Sequence, residues 1–291
     1  MATLPTLPRH SWLEHVSLFL AGTLVILGLG TLAGWWLHVD VLAQPLPGLA
    51  PMSANAALCV LLLGVALLAQ DQESSRTVVG AAVLPGGITI LTLLEYLLRA
   101  DLRIDELLTS DYLLVGLGPP GRMSPATAVC LLLAALVLLW RGLSHLARAP
   151  VSAGAAVGSL VGAVGFSTLL GYATGLPAVY SWGTEVAMSP ASGLALLLLG
   201  SALLLFAWRE AVRIEGRSPR WAPLPAVIAC FTLTFILWIG LRAREHAYNG
   251  IKTQTSMEGL ATTINYELDR QQALVSRLAD NWGSGQDNEP T

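Results

Sequence analysis

Seven apolar stretches, near 16–38, 52–70, 77–98, 124–141, 152–174, 189–208 and 222–241, contain one charged side chain in their interiors, Glu95; His38 and Arg141 stand only at ends. About 20 apolar residues cross the ~30 Å hydrocarbon core of a bilayer as a helix. A lipid-embedded segment must also satisfy every backbone N–H and C=O internally, which a helix does. Seven such stretches in 291 residues therefore predict an all-α, polytopic membrane helix bundle. Only 12% of the residues are charged and 54% are hydrophobic, against roughly 25% charged for a soluble domain. That scarcity excludes a soluble enzyme and a disordered chain, and no basic tract is present to hold a nucleic acid. The first stretch exceeds the ~7–15 residues of a signal-peptide core and should remain as an anchor.

Arginine placement predicts the orientation, since short cytoplasmic loops are enriched in basic residues. Arg9, Arg76, Arg141, Arg148, Arg209, Arg213, Arg217 and Arg220 fall in alternate connections, while 39–51 and 175–188 hold no Lys or Arg; only 99–123 resists the pattern, with Arg99, Arg103 and Arg122 accompanied by Asp101, Asp105, Glu106 and Asp111. The chain is thus expected to begin on the cytoplasmic side, cross seven times and place its C-terminal segment outside. Tryptophans at predicted interfaces, Trp35, Trp36 and Trp182 at one face and Trp12, Trp140, Trp208 and Trp221 at the other, agree with that frame.

An internal repeat opens three of the stretches. MSANAALCVLLLGVALLA from Met52, MSPATAVCLLLAALVLLW from Met123 and MSPASGLALLLLGSALLL from Met188 align without gaps. Ser53, Ser124 and Ser189 occupy N-cap positions, and Pro125 and Pro190 the favoured first helical position. Capping and close packing by the small residues that follow account for the pattern. A second reading has the three positive helix ends converging on an outer cavity that attracts an anionic or carbonyl-bearing ligand.

Candidate chemistry is sparse. Lys252, the single lysine, lies beyond the last stretch, so a retinal Schiff base has no partner, and the five histidines sit outside the span interiors, so a membrane haem has no ligands. Cys59, Cys130 and Cys230 lie singly in apolar runs and form no metal clip. No catalytic motif, metal set or cofactor is expected. Glu95 is the exception, because a charge within a span is a functional candidate by default. It can pair with Arg99 at i,i+4 as an interfacial ion pair, or it can join Tyr96, Tyr172, Tyr180 and Trp182 in an outer polar pocket. Glycine-rich breaks are expected at Leu84–Gly87 and Gly171–Gly175.

Beyond Arg242 the composition turns polar. Leu260, Ile264, Leu268, Val275, Leu278 and Trp282 recur near one stripe, predicting a C-terminal amphipathic helix over 242–291 that dimerises or is covered by a further domain. The ending GSGQDNEPT reads as a loop of a chain cut short.

Together, LTLLEYLLRADLRIDELL, PPGRMSPATAVCLLLAALVLL and GYATGLPAVYSWGTEVAMSPASGLALLLLGSALLL resemble the multi-helix membrane input region of bacterial sensor histidine kinases and diguanylate cyclases. TTINYELDRQQALVSRLADNW is similar to the opening helix of a CHASE-like extracytoplasmic sensor segment. The chain departs from that pattern in lacking an Asn after MSP (Ala126, Ala191) and in having Leu98-Arg99 where a turn residue is more usual. The resemblance implies a sensory input module in 1–241, probing a small-molecule or membrane cue as a homodimer, with 242–291 opening the extracytoplasmic segment and an output domain outside this sequence. A small-molecule transporter and a scaffold subunit of a membrane complex are the alternative expectations.

Overall fold

The computed structural model describes residues 11–71, 74–106, 108–113, 119–143, 149–181, 186–215 and 221–286, and their regular elements are all helices. In chain order these are α1 (Ser11–Leu37), α2 (Asp40–Ala43), α3 (Ala54–Asp71), α4 (Ser75–Leu98), α5 (Pro125–Leu143), α6 (Ala149–Thr174), α7 (Pro177–Ser181), α8 (Pro190–Glu215) and α9 (Pro223–Gln286). Six of them, α1, α4, α5, α6, α8 and the Pro223–Glu245 part of α9, are long and apolar enough to cross a membrane. α3 is apolar but shorter, Ala54–Gln70. The residues divide into two compact units, one up to Gly240 and one from Leu241.

The first unit contains three helical hairpins, α1 with α3, α4 with α5, and α6 with α8, together with residues 223–240 of α9. The second helix of each begins at the Met-Ser repeat, and in each the serine caps it: Ser53, Ser124 and Ser189 Oγ accept from the backbone N–H of Ala56, Thr127 and Ser192 at 3.3, 3.3 and 2.9 Å. The methionines ahead of the caps, Met52, Met123 and Met188, are all buried. The three caps share one end of the unit. At the opposite end Arg209 of α8 donates to Ser17 of α1 and pairs with Glu14 at 3.8 Å.

Packing inside the unit relies on small residues, as expected where lipid supplies no hydrophobic drive between helices. α6 and α8 approach most closely. A Cβ on Gly158 would stand 2.8 Å from the Gly200 carbonyl, and one on Gly165 or Gly200 would run into the facing backbone. α3 is the inner helix, with Ala56, Ala57, Cys59, Val60, Leu63 and Ala66 all buried. α1 in contrast leaves Phe19 71% and Ile26 72% exposed, and α9 leaves Val227, Phe231 and Phe235 exposed. Such large apolar side chains belong against lipid.

The break expected at Leu84–Gly87 does not occur, and α4 runs through Pro85 unbroken. Thr89, one turn on, folds its hydroxyl back onto the Pro85 carbonyl at 2.7 Å, the i−4 back-bond that keeps a threonine's polar group satisfied inside an apolar helix. The break at Gly171–Gly175 is where α6 ends, with Gly175 at φ +64°.

In the second unit α9 continues as helix to Gln286, and every described side chain from Thr263 to Arg277 is exposed. Leu260, Ile264 and Leu268 are among the exposed apolar residues.

Candidate functional site

The capped end is assembled from one local pattern used three times. The first helix of each hairpin finishes in Thr-Leu-x-x-aromatic: TLAGW from Thr31, TLLEY from Thr92 and TLLGY from Thr168. The aromatic donates to the carbonyl of the methionine that precedes the next cap, Trp35 Nε1 to Met52 at 2.7 Å, Tyr96 Oη to Met123 at 3.0 Å and Tyr172 Oη to Met188 at 2.8 Å. The threonine lies one turn earlier on the same face, and Thr31 and Thr168 face the methionine sulfur at 4.0 and 3.0 Å. Three residues after the aromatic the backbone turns left-handed, at His38, Arg99 and Gly175 with φ of 55°, 50° and 64°. Each hairpin is thus closed by an aromatic clamp, a buried methionine and a serine cap. The gap-free alignment of the second helices misses this clamp because the connection from aromatic to methionine differs in length, 17, 27 and 16 residues.

Before the aromatic, two hairpins carry glycine and one carries Glu95. Gly34 and Gly171 are obligatory. A Cβ there would stand 2.6 Å from Leu42 and 2.9 Å from Val179, because α2 and α7 fold back over these positions. In the middle hairpin no short helix folds back among the described residues, and the Glu95 side chain reaches the connection between α4 and α5 instead.

Acidic side chains hold that connection. Asp101 accepts from the backbone N–H of Arg103, Glu106 from that of Asp111, and Asp111 from those of Leu113 and Gly121. Asn55, on the first turn of α3, donates to the Ile104 carbonyl at 2.9 Å. Tyr112 packs edge-on against Trp35 and donates to the Gly34 carbonyl at 3.4 Å. The connection therefore bridges the first and second hairpins across their capped ends.

Beneath it lies a buried charge cluster. Glu95 is 0% and Asp105 5% exposed, and the Arg122 side chain 8%. Arg122 Nε donates to Asp105 Oδ2 at 2.5 Å, and its Nη2 stands 3.5 Å from Glu95 Oε2 and 3.9 Å from the exposed Asp101. Glu95 Oε1 accepts from the Leu102 backbone N–H at 2.8 Å. The guanidinium also lies 5.5 Å from the centre of the Tyr96 ring, within cation–π range. Burial pushes the Asp105 carboxyl up to about 6; the Arg122 hydrogen bond and charge oppose the shift and Glu95 adds to it. The partner of Glu95 is thus Arg122, 27 residues on, and not Arg99, whose left-handed backbone ends the helix.

The expected outer pocket resolves into two local pairs. Glu95 and Tyr96 belong to the cluster just described, whereas Tyr172 and Tyr180 stack on each other with ring centres 3.9 Å apart in the third hairpin. No hydrogen bond, ion pair or ring contact among the described residues joins the two pairs. Trp182 lies outside the described residues. Ser53, Ser124 and Ser189 act as caps. No group of three or more metal-ligating side chains is present among the described residues. Arg122 and Asp105 are site residues that sequence reasoning missed. The DLRIDELL loop signalled the acids, but nothing local pairs Arg122 with a glutamate 27 residues earlier in α4.

No protein-family model, no curated protein and no solved structure matches the chain.

Proposed function

We propose that this chain is the membrane-embedded sensory input module of a bacterial signal-transduction protein, passing an extracytoplasmic or membrane cue to the segment beyond Arg242. The observation that carries the reading is α9, one helix from Pro223 to Gln286 whose sequence passes from an apolar span to a polar stretch without a break. A helix shared by a bundle and a polar segment is a natural two-state element, able to slide or rotate. The similarity of its sequence to membrane input regions of histidine kinases and diguanylate cyclases supports the same reading. In it α3 is the seventh crossing, the capped end faces outward, and Arg76, Arg141, Arg209 and Arg213 mark the cytoplasmic side. The 242–282 helix pairs with a second copy through Leu260, Ile264 and Leu268.

The test is single-cysteine cross-linking in native membranes along 258–270. Cross-links that peak at Leu260, Ile264 and Leu268 support a paired helix, and position-independent cross-linking overturns it. A small-molecule carrier is the second reading, favoured by the three hairpins pointing the same way, since parallel repeats recur in transporters. Proteoliposome uptake lost on Glu95→Gln would select it.

A further inference from the structure

The cluster under the α4–α5 connection holds two carboxylates and one guanidinium, shielded from water. Its hydrogen bonding is incomplete in a specific way. Glu95 Oε2 and Asp105 Oδ1 are both buried without a hydrogen-bond partner. An ionised carboxylate only accepts, so two facing carboxylates cannot satisfy each other. The two carboxyl groups lie within side-chain hydrogen-bonding reach of each other, and a single added proton makes one of them a donor to the other. A metal ion fits less well, because it would have to stand beside a guanidinium already 2.5 Å from Asp105 and 3.5 Å from Glu95.

We propose that Glu95 and Asp105 form a proton-binding site, sharing one proton as a carboxyl–carboxylate hydrogen bond that fastens the α4–α5 connection onto the capped end. Binding forms one O–H bond at the pair and takes the proton from the outer solution; release returns it and leaves two like charges, one at the last turn of α4 and one in the connection. The groups facing the pair are Arg122, Tyr96 and the exposed Asp101. From α3 the neighbour of this connection is the uncharged Asn55, bonded to the Ile104 carbonyl. Glu106 and Asp111 are committed to backbone N–H groups, and His38 stacks on Tyr112. Geometry thus singles out one acid pair with one base.

The sign follows from Asp105, whose carboxyl is pushed up to about 6. A carboxyl raised on docking favours the docked, protonated form. Fastening is fully present below the ordinary Asp value of about 3.9 and is lost as pH rises through about 6. Under the sensory reading, and resting on it, extracytoplasmic acidity is the cue.

The experiment uses the full chain in lipid nanodiscs, followed by pH-difference infrared spectroscopy between about pH 5 and about pH 8. A protonated-carboxyl band titrating near pH 6 should appear, and should be lost in both Asp105→Asn and Glu95→Gln, since a shared proton needs both residues. A band that survives in either variant, or no titrating band, overturns the site. Hydrogen exchange of 100–113 in the unmodified chain, corrected for intrinsic rates, should quicken several-fold across the same range. A pH-independent profile overturns the site even where the variants fail to fold. Failure of the sensory reading looks different: the titration persists while solute uptake replaces any change in α9 cross-linking.

Discussion

Removing the Arg122 guanidinium leaves Glu95 and Asp105 buried together with no counter-charge, and breaking a buried pair from one side costs about 3–5 kcal/mol. Arg122→Met should lower unfolding stability by about that much in a detergent denaturation series. The same substitution measured below pH 5 should lose less, because Asp105, raised to about 6, is then neutral. Equal losses at both pH values would argue that Arg122 acts through packing alone. Tyr96→Phe and Tyr172→Phe each remove one donor to a buried methionine carbonyl, and each should cost about 1 kcal/mol. Part of this was visible in the sequence: Glu95 stood out as the one charge inside a span, and Tyr96 and Tyr172 as polar aromatics at its level. Arg122 did not, because its pairing depends on how the 26-residue connection between α4 and α5 folds back, which no local period records. The glycine-to-glutamate change between TLxGW/Y and TLLEY is readable, but only once the clamp shows that the three segments are equivalent.

At the scale of elements, two hydrophobic runs match their helices to within two residues, 77–98 against Ser75–Leu98 and 124–141 against Pro125–Leu143, whereas the run 189–208 stops seven residues before the end of α8 at Glu215. Apolar length is set by lipid and is written directly into composition. The continuation of α9 past Arg242 is legible, since no proline stands between Pro225 and Pro290, but its end at Gln286 is not, because the GSG after Trp282 reads as the start of a loop. Nor was the continuity of α4, where Pro85 and two glycines read as a break but the helix runs from Ser75 to Leu98. Glycines separate by what faces them. Gly200→Ala, pressing on the α6 backbone, should destabilise by about 1–3 kcal/mol through overpacking. Gly22→Ala and Gly80→Ala meet nothing within 4 Å and should be neutral or gain up to about 1 kcal/mol of helix stability. Thermal unfolding of the three variants in one lipid composition checks the order. A Gly200→Ala protein as stable as the parent would mean that α6 and α8 are farther apart than the structure has them.

Taken as a whole, the first unit is a threefold use of one hairpin, and that arrangement constrains topology more than any hydropathy profile does. Every hairpin sends its first helix toward the capped end and its second away, so α1, α4 and α6 run parallel, and α3, α5 and α8 run opposite. If the three pairs cross the bilayer, the two exposed connections at the capped end, around Pro47 and Arg103, lie on one side, and Arg76 and Arg213 on the other. The short α3 is the point at risk: were it to re-enter instead of crossing, Pro47 and Arg76 would share a side. Single cysteines at Pro47, Arg76, Arg103 and Arg213, in a chain with Cys59, Cys130 and Cys230 replaced, test this in intact cells with a membrane-impermeant maleimide. Labelling of Pro47 and Arg103 before permeabilisation, and of Arg76 and Arg213 only after it, establishes both the seventh crossing and an outward capped end. The reverse pattern would keep the crossings but turn the Glu95–Asp105 pair toward the cytoplasm, where outer acidity could not reach it. Common labelling of Pro47 and Arg76 would remove α3 as a span and with it the equivalence of the three hairpins in the bilayer.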